Sequence, residues 1–151
     1  MATIPNPKYG QSRRVAEAEQ ASQNRWTISD WHDSVAHVRF NSPVVKEPIL
    51  IILLFPVGFP IYPPRAYMPF PIFHPNVSMK HKYLFIDILY ERWSPRTTIT
   101  QICEYLYKIL EKPDLCPASV CNDEAAKVYV DSPAEFFKRM QASTETISPK
   151  K

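Results

Sequence analysis

Chemistry in this chain has to come from few side chains. Three thiols (Cys103, Cys116, Cys121) and four imidazoles (His32, His37, His74, His81) are the groups able to act as nucleophile, base or soft metal ligand near neutral pH. Cys116 and Cys121 have four residues between them, but the histidines are scattered without ligand spacing, so no metal is expected. A Ser78, His74 and Asp87 hydrolase triad can be drawn on paper, yet no strand–turn–helix elbow surrounds the serine. Cys121 precedes an expected helix, whose N-terminus can lower a thiol pKa; an apolar contact at the helix entrance is the simpler reading. Cys103 follows Ile102 on an amphipathic stretch and is expected in the core. Cys116 sits in Lys112-Pro-Asp-Leu-Cys-Pro117, where a small half-buried loop residue is the plain expectation.

The chain that must position these groups has 151 residues, 45% of them apolar, 22% charged and 13% aromatic, which is the composition of one folded domain. Its longest apolar run, Ile49 to Phe55, is far shorter than the roughly 20 residues that span a bilayer, so no membrane partner is expected. Met1 to Arg14 is polar and has no apolar signal region, and the expectation is a cytoplasmic or nuclear protein with reduced thiols. A net charge of +3, without a dense Lys/Arg block, gives no reason to expect nucleic acid as a partner. Two glycines, Gly10 and Gly58, cannot build a glycine-rich phosphate loop, which excludes Rossmann and P-loop nucleotide enzymes. No cofactor is expected.

Residues 9–24 predict a helix with a thin apolar stripe at Val15, Ala18 and Ala21, leaving Arg13 and Arg14 in water. Trp26-Thr27-Ile28 and Val35 to Phe40 incline to strand, the second too irregular for a face assignment, and Asn41-Ser42-Pro43 marks a turn. Ile49 to Phe55 predicts a strand covered on both faces. Between Pro56 and Pro75 lie seven of the sixteen prolines, interleaved with aromatics: a packed, extended crossover with room for one short edge strand near Arg65 to Met68. Lys82 to Leu89 is a short apolar stretch. Thr98 with Gln101 predicts a capping box opening a helix to Leu110; Asn122 caps a second helix through Val130. Ser132-Pro133-Ala134-Glu135 opens a third, ending near Gln141. Strands that cluster, without alternating with helices, predict an α+β fold with an antiparallel meander of about four strands, an N-terminal helix and three C-terminal helices. The expected boundaries are a disordered 1–8, a domain over 9–142 and a polar tail over 143–151.

Three spaced motifs carry a family resemblance. Phe55-Pro56-x-x-Phe59-Pro60-x-x-Pro63-Pro64, then Ile72-Phe73-His74-Pro75-Asn76, then Ile86-Asp87-Ile88-Leu89-x-x-x-Trp93-Ser94-Pro95 resemble the segments F-P-x-x-[YF]-P-x-x-P-P, I-[YF]-H-P-N and L-D-I-L-x-x-x-W-S-P of the ubiquitin-conjugating enzymes. The resemblance implies that family's UBC fold. In the family, the residue before L-D-I-L is the cysteine that carries ubiquitin as a thioester; here it is Phe85, or Leu84 if the slightly longer loop shifts the register. The family's glycine three positions earlier is replaced by Lys82, which implies altered loop geometry. A phenyl ring has no lone pair to attack with, so His74, Pro75 and Asn76 are left a structural role, bonding nearby loop backbone.

The resulting expectation is a protein that is not an enzyme: a binding module in a ubiquitin or ubiquitin-like pathway, partnering a modifier, a ligase or an active conjugating enzyme. The alternative is a transferase with a displaced thiol at Cys116, whose loop resembles the segment beside the family's catalytic cysteine. By the same resemblance, ligase contacts fall on Ile61, on Ser94, Pro95 and Arg96, and on the first helix, while Arg13 and Arg14 meet an activating enzyme or only solvent. Ile61 stands where an aromatic anchor is common, and Arg96 where a small residue is common. Trp93 and Tyr62 are expected in the core or at its rim.

Overall fold

The computed structural model describes residues 10–32 and 34–147. Helix α1 (Gly10–Gln20) leads into five strands: β1 (Trp26–His32), β2 (Val35–Phe40), β3 (Ile49–Leu54), β4 (Arg65–Tyr67) and β5 (Tyr83–Leu84). These form one antiparallel meander in sequence order. A 3-10 turn (Asp87–Leu89) comes after it, then α2 (Ile99–Glu111), α3 (Asp123–Asp131) and α4 (Pro133–Ile147). The α+β class holds. Among the described residues no helix is long and apolar enough to cross a membrane.

Several expectations change. β2 alternates cleanly, burying Ala36, Val38 and Phe40. β3 alternates too: Ile49, Ile51 and Leu53 enter the core while Leu50, Ile52 and Leu54 are only half covered, so the strand is not buried on both faces. An all-apolar sequence hides that alternation, because both faces carry the same residue type. β4 lies where the short strand was expected but is interior to the sheet; β5 pairs beyond it and supplies a fifth strand. Two residues cannot show a period of two. The last helix continues past Gln141 to Ile147, burying Met140 and Thr144 along it. The expected disordered stretch 1–8 lies outside the described residues.

β1 shows how local backbone sets burial. Its pairing with β2 slips by one residue between Ser29 and His32, where Asp30 takes φ 49°. That bulge resets the phase, so Trp31 joins Trp26 and Ile28 in the interior and packs edge-on against Phe55 at 5.3 Å. α1 is fastened by Arg25 and Trp26, just beyond its end. Trp26 Nε1 donates to the Ala18 carbonyl at 3.1 Å, and the Arg25 guanidinium donates to the carbonyls of Ala21 and Ser22. Arg25 also pairs with Glu104 of α2 at 3.6 Å.

α2 runs through the core with Ile99, Ile102, Cys103, Leu106, Ile109 and Leu110 buried. Its start is the expected capping box: the Thr98 hydroxyl accepts from the Gln101 amide at 3.0 Å, and the Gln101 side chain accepts from the Thr98 amide at 2.8 Å. Asn122 caps α3 through the Ala125 amide at 3.1 Å. The far end of α2 meets His74 through the Ile109 carbonyl, so the cap is a handle on that region as well. Thr98→Ala is expected to lower stability by about 1 kcal/mol, read as a shift of the urea midpoint with unchanged slope.

Candidate functional site

The site lies where the segment Ile72 to Asn76, the stretch Leu84 to Tyr90 and the loop before α3 meet. The chain enters it through Ser78 to Tyr83, a tight turn closed by hydrogen bonds from Ser78 to the Tyr83 carbonyl (2.9 Å) and from Lys82 to the Ser78 carbonyl (2.7 Å). Lys82 takes φ 65°, the left-handed region that glycine enters without penalty. The family resemblance has glycine at this position. The loop therefore makes the turn that glycine favours, with a lysine held in it.

His74 and Asn76 are fully buried, and every side-chain polar atom of each is hydrogen-bonded. The His74 Nδ1 accepts from the Asn76 amide at 3.1 Å, which leaves Nε2 as the protonated nitrogen, donating to the Ile109 carbonyl near the end of α2 at 2.7 Å. Burial holds this imidazole down to about 4, against the opposing pull of the Ile109 carbonyl. The Asn76 side chain donates to the carbonyls of Asp114 (2.8 Å) and Ser119 (3.0 Å) and accepts from the Asp114 amide at 3.0 Å. Pro75, through its carbonyl, accepts from the amides of Cys121 and Asn122. Asn76 thus clamps the loop before α3, and His74 the end of α2.

The structure places Phe85, not Leu84, at the surface of the site. Leu84 is fully buried in β5, whereas Phe85 is half-buried, its amide donating to the Asn76 carbonyl at 2.8 Å. Its ring stacks on Tyr90 with centroids 5.7 Å apart and planes 27° apart. Two open clefts share this aromatic pair. One, of about 330 Å³, runs toward Asp87, Glu91, Ala118 and Ser119. The other, of about 460 Å³, runs along the proline-rich crossover. Partial burial raises the Tyr90 hydroxyl pKa, with Arg65 opposing.

The three thiols are free. Cys103 is buried as expected, and burial pushes its pKa far up. Cys116 is exposed, not half-buried; its amide donates to the Asp114 carboxylate at 2.9 Å. Cys121 is exposed as well, and partial burial of its thiol, reinforced by Asp123, pushes it up to about 11. The helix N-terminus does not win there: the nearby carboxylate and the loss of water both disfavour thiolate. The paper triad is not assembled. Both His74 nitrogens are spent, Ser78 accepts from the His81 amide, and Asp87 accepts from the Tyr105 hydroxyl and pairs with Arg92. Among the described residues no group of three or more His, Cys, Asp or Glu could hold a metal ion.

Beside the site, Ile61, Pro95 and Arg96 are exposed and Ser94 is half-buried. Trp93 is half-buried and packs on the core, while Tyr62 is 64% exposed and so belongs to the surface, not to the core or its rim. The side chains of Arg13 and Arg14 lie outside the described residues. What sequence reasoning missed is the aromatic wall of Phe85 and Tyr90; the five-residue spacing across a 3-10 turn has no periodicity that would reveal a stacked pair.

The neutral buried imidazole has a measurable consequence. The unfolded chain binds a proton on His74 near pH 6.5 and the folded chain only near 4, so stability is full above 6.5 and falls as pH drops through this window. About 2 kcal/mol is expected to be lost between pH 7 and pH 5 from this residue. Urea titrations at the two pH values should show a correspondingly smaller difference in His74→Gln than in the wild-type chain.

A family model described as ubiquitin-conjugating enzyme matches residues 14–144. The chain is 34% identical over 105 residues to ubiquitin-conjugating enzyme E2 2 of Mycosarcoma maydis, covering 70% of this chain and 55% of that protein. It is 26% identical over 150 residues to ubiquitin-conjugating enzyme E2 1 of Schizosaccharomyces pombe (91% and 67% covered), and 24% identical over 135 residues to E2 ubc-18 of Caenorhabditis elegans (89% and 82% covered). The match thus spans little more than half the length of the first of these. The expectation that this chain is not an enzyme is overturned by these relatives, which are named as conjugating enzymes. One residue type at position 85 does not remove a chain from a family of enzymes. With three motifs, an antiparallel meander leading into three helices, and a match over most of its length, the chain belongs to the ubiquitin-conjugating enzyme family.

Proposed function

We propose that this chain works in a ubiquitin or ubiquitin-like modifier pathway of the cytoplasm or nucleus, docking on a ligase or a second conjugating enzyme through Ile61, Ser94, Pro95 and Arg96. One observation carries the reading. The Trp93 indole N–H donates to the carbonyls of both Pro60 (3.1 Å) and Ile61 (3.3 Å), which ties the two loops into one surface. On it Ile61 stands 65% exposed, with Pro95 and Arg96 at the neighbouring loop. A large apolar side chain held outward on a braced loop loses little entropy when a partner covers it, which is what an anchor residue requires. Arg96 adds a cation that favours an acidic ligase surface over a basic one.

A second reading concerns transfer chemistry, and the exposure of Cys116 favours it. Asn76 binds the loop of Asp114 and Ser119 to the chain that also receives the Phe85 amide, which brings the Cys116 loop toward the aromatic pair. A thiolate there would attack the modifier's activated C-terminal carbonyl, displacing the activating enzyme's thiol and holding a thioester for an incoming amine.

Two measurements test these readings. Titration against a panel of purified ligase domains should give a saturable complex with at least one, weakened about 30-fold by Ile61→Asp, as expected for an anchor worth about 2 kcal/mol. A panel without binding, or a complex indifferent to Ile61→Asp, would refute the docking surface. Incubation with activating enzyme, ATP and ubiquitin, then a non-reducing gel, should show a reducible adduct that disappears in Cys116→Ala. An adduct that survives that change, or no adduct with any common modifier, removes Cys116 from the chemistry.

A further inference from the structure

The larger of the two clefts has a composition that the ligase-facing surface does not explain. It is walled by Phe85, Tyr90, Tyr62, Leu89 and Pro64, and Arg65 is the single charged residue that lines it among the described residues. Tyr62 and Tyr90 are 64% and 46% exposed, so ring faces that could be covered stand in water. They are also braced. Tyr90 stacks on Phe85, and Tyr62 lies so close to Gly58 that a Cβ there would sit 2.5 Å from the ring. Side chains already fixed in place lose little freedom on binding.

Arg65 gives the cleft its polarity. Its guanidinium lies over the Tyr83 ring at 4.2 Å and within electrostatic reach of the Tyr90 hydroxyl, and no carboxylate among the described residues pairs with it. An arginine resting on an aromatic face keeps its donors in one plane for a carboxylate. An apolar, ring-walled cleft selects extended chain with aliphatic or proline side chains, and the unpaired cation selects an acidic residue among them.

We propose that the cleft between the Phe85–Tyr90 pair and the proline-rich crossover is a docking groove for an extended apolar peptide segment that presents a carboxylate to Arg65. The peptide lies against the ring faces of Tyr62 and Tyr90 and forms an ion pair with Arg65. This does not rest on the ligase-facing surface or on any thiol.

The test lays the full chain over three sets of immobilised dodecapeptides. The first is rich in Pro, Leu and Val with one Glu; the second has Lys in place of that Glu; the third keeps the Glu but replaces the apolar residues by Gly and Ser. Retention is expected on the first set alone. Tyr90→Ala should weaken it about tenfold, and Arg65→Glu should move retention to the second set, a gain that misfolding cannot produce. No retention, equal retention on all three sets, or first-set binding unchanged by either variant would overturn the proposal.

Discussion

The Asn76 amide is buried away from water, and it finds its hydrogen-bond partners on a loop 38 residues further along the chain. His74 does the same with the end of α2. An unpaired polar group in that position would cost roughly 1–3 kcal/mol, so the loop before α3 and the C-terminal turn of α2 are held against the Ile72–Asn76 segment. Everything at the site hangs on this clamp. It sets where Asp114, Cys116 and Ser119 stand, and its Asn76 carbonyl also receives the Phe85 amide. The clamp works only with a neutral imidazole, whose Nδ1 accepts while Nε2 donates, and burial supplies that neutrality.

The same clamp constrains the chemistry. An asparagine amide that already donates to two carbonyls has no hydrogen left for a developing oxyanion in this arrangement. The Phe85 ring can stack, exclude water and shape a cleft, but it offers no electron pair to a carbonyl. The free, exposed thiols near this region are those of Cys116 and Cys121. Of the two, Cys121 is held away from thiolate by partial burial and by Asp123, and both stand exposed.

Binding has firmer physical ground, because it needs shape and exposed area, not one reactive atom. The proline-rich crossover creates both the exposed surface around Ile61 and the ring-walled cleft. Its backbone carbonyls at Pro60 and Ile61 receive the Trp93 indole, and its Tyr62 to Arg65 stretch faces the Phe85–Tyr90 pair. Proline restricts the chain's own freedom, so aromatic and aliphatic side chains between prolines can be held outward without a layer behind them.

Much of the architecture was determined by the sequence alone. Capping signals at Thr98, Asn122 and Ser132 located three helix starts, because each rests on a side chain bonding a backbone amide three residues on. The three motifs located the family, and the packed, proline-dense crossover could be read from composition. The position before Ile86-Asp87-Ile88-Leu89 could be narrowed by order to Phe85 or Leu84, and the burial of Leu84 in β5 left Phe85 at the surface of the site. Tertiary structure decided the rest, through contacts that no local pattern encodes. Burial on one face of β3 depends on what lies across the sheet, and β5 exists only because Tyr67 and Ala66 offer it a partner. The exposure of Cys116 and Tyr62, the raised pKa of Cys121 and the stacking of Phe85 on Tyr90 depend on neighbours in space and on the water they displace. Sequence order carries propensity, whereas desolvation and long-range pairing are properties of the assembled interior.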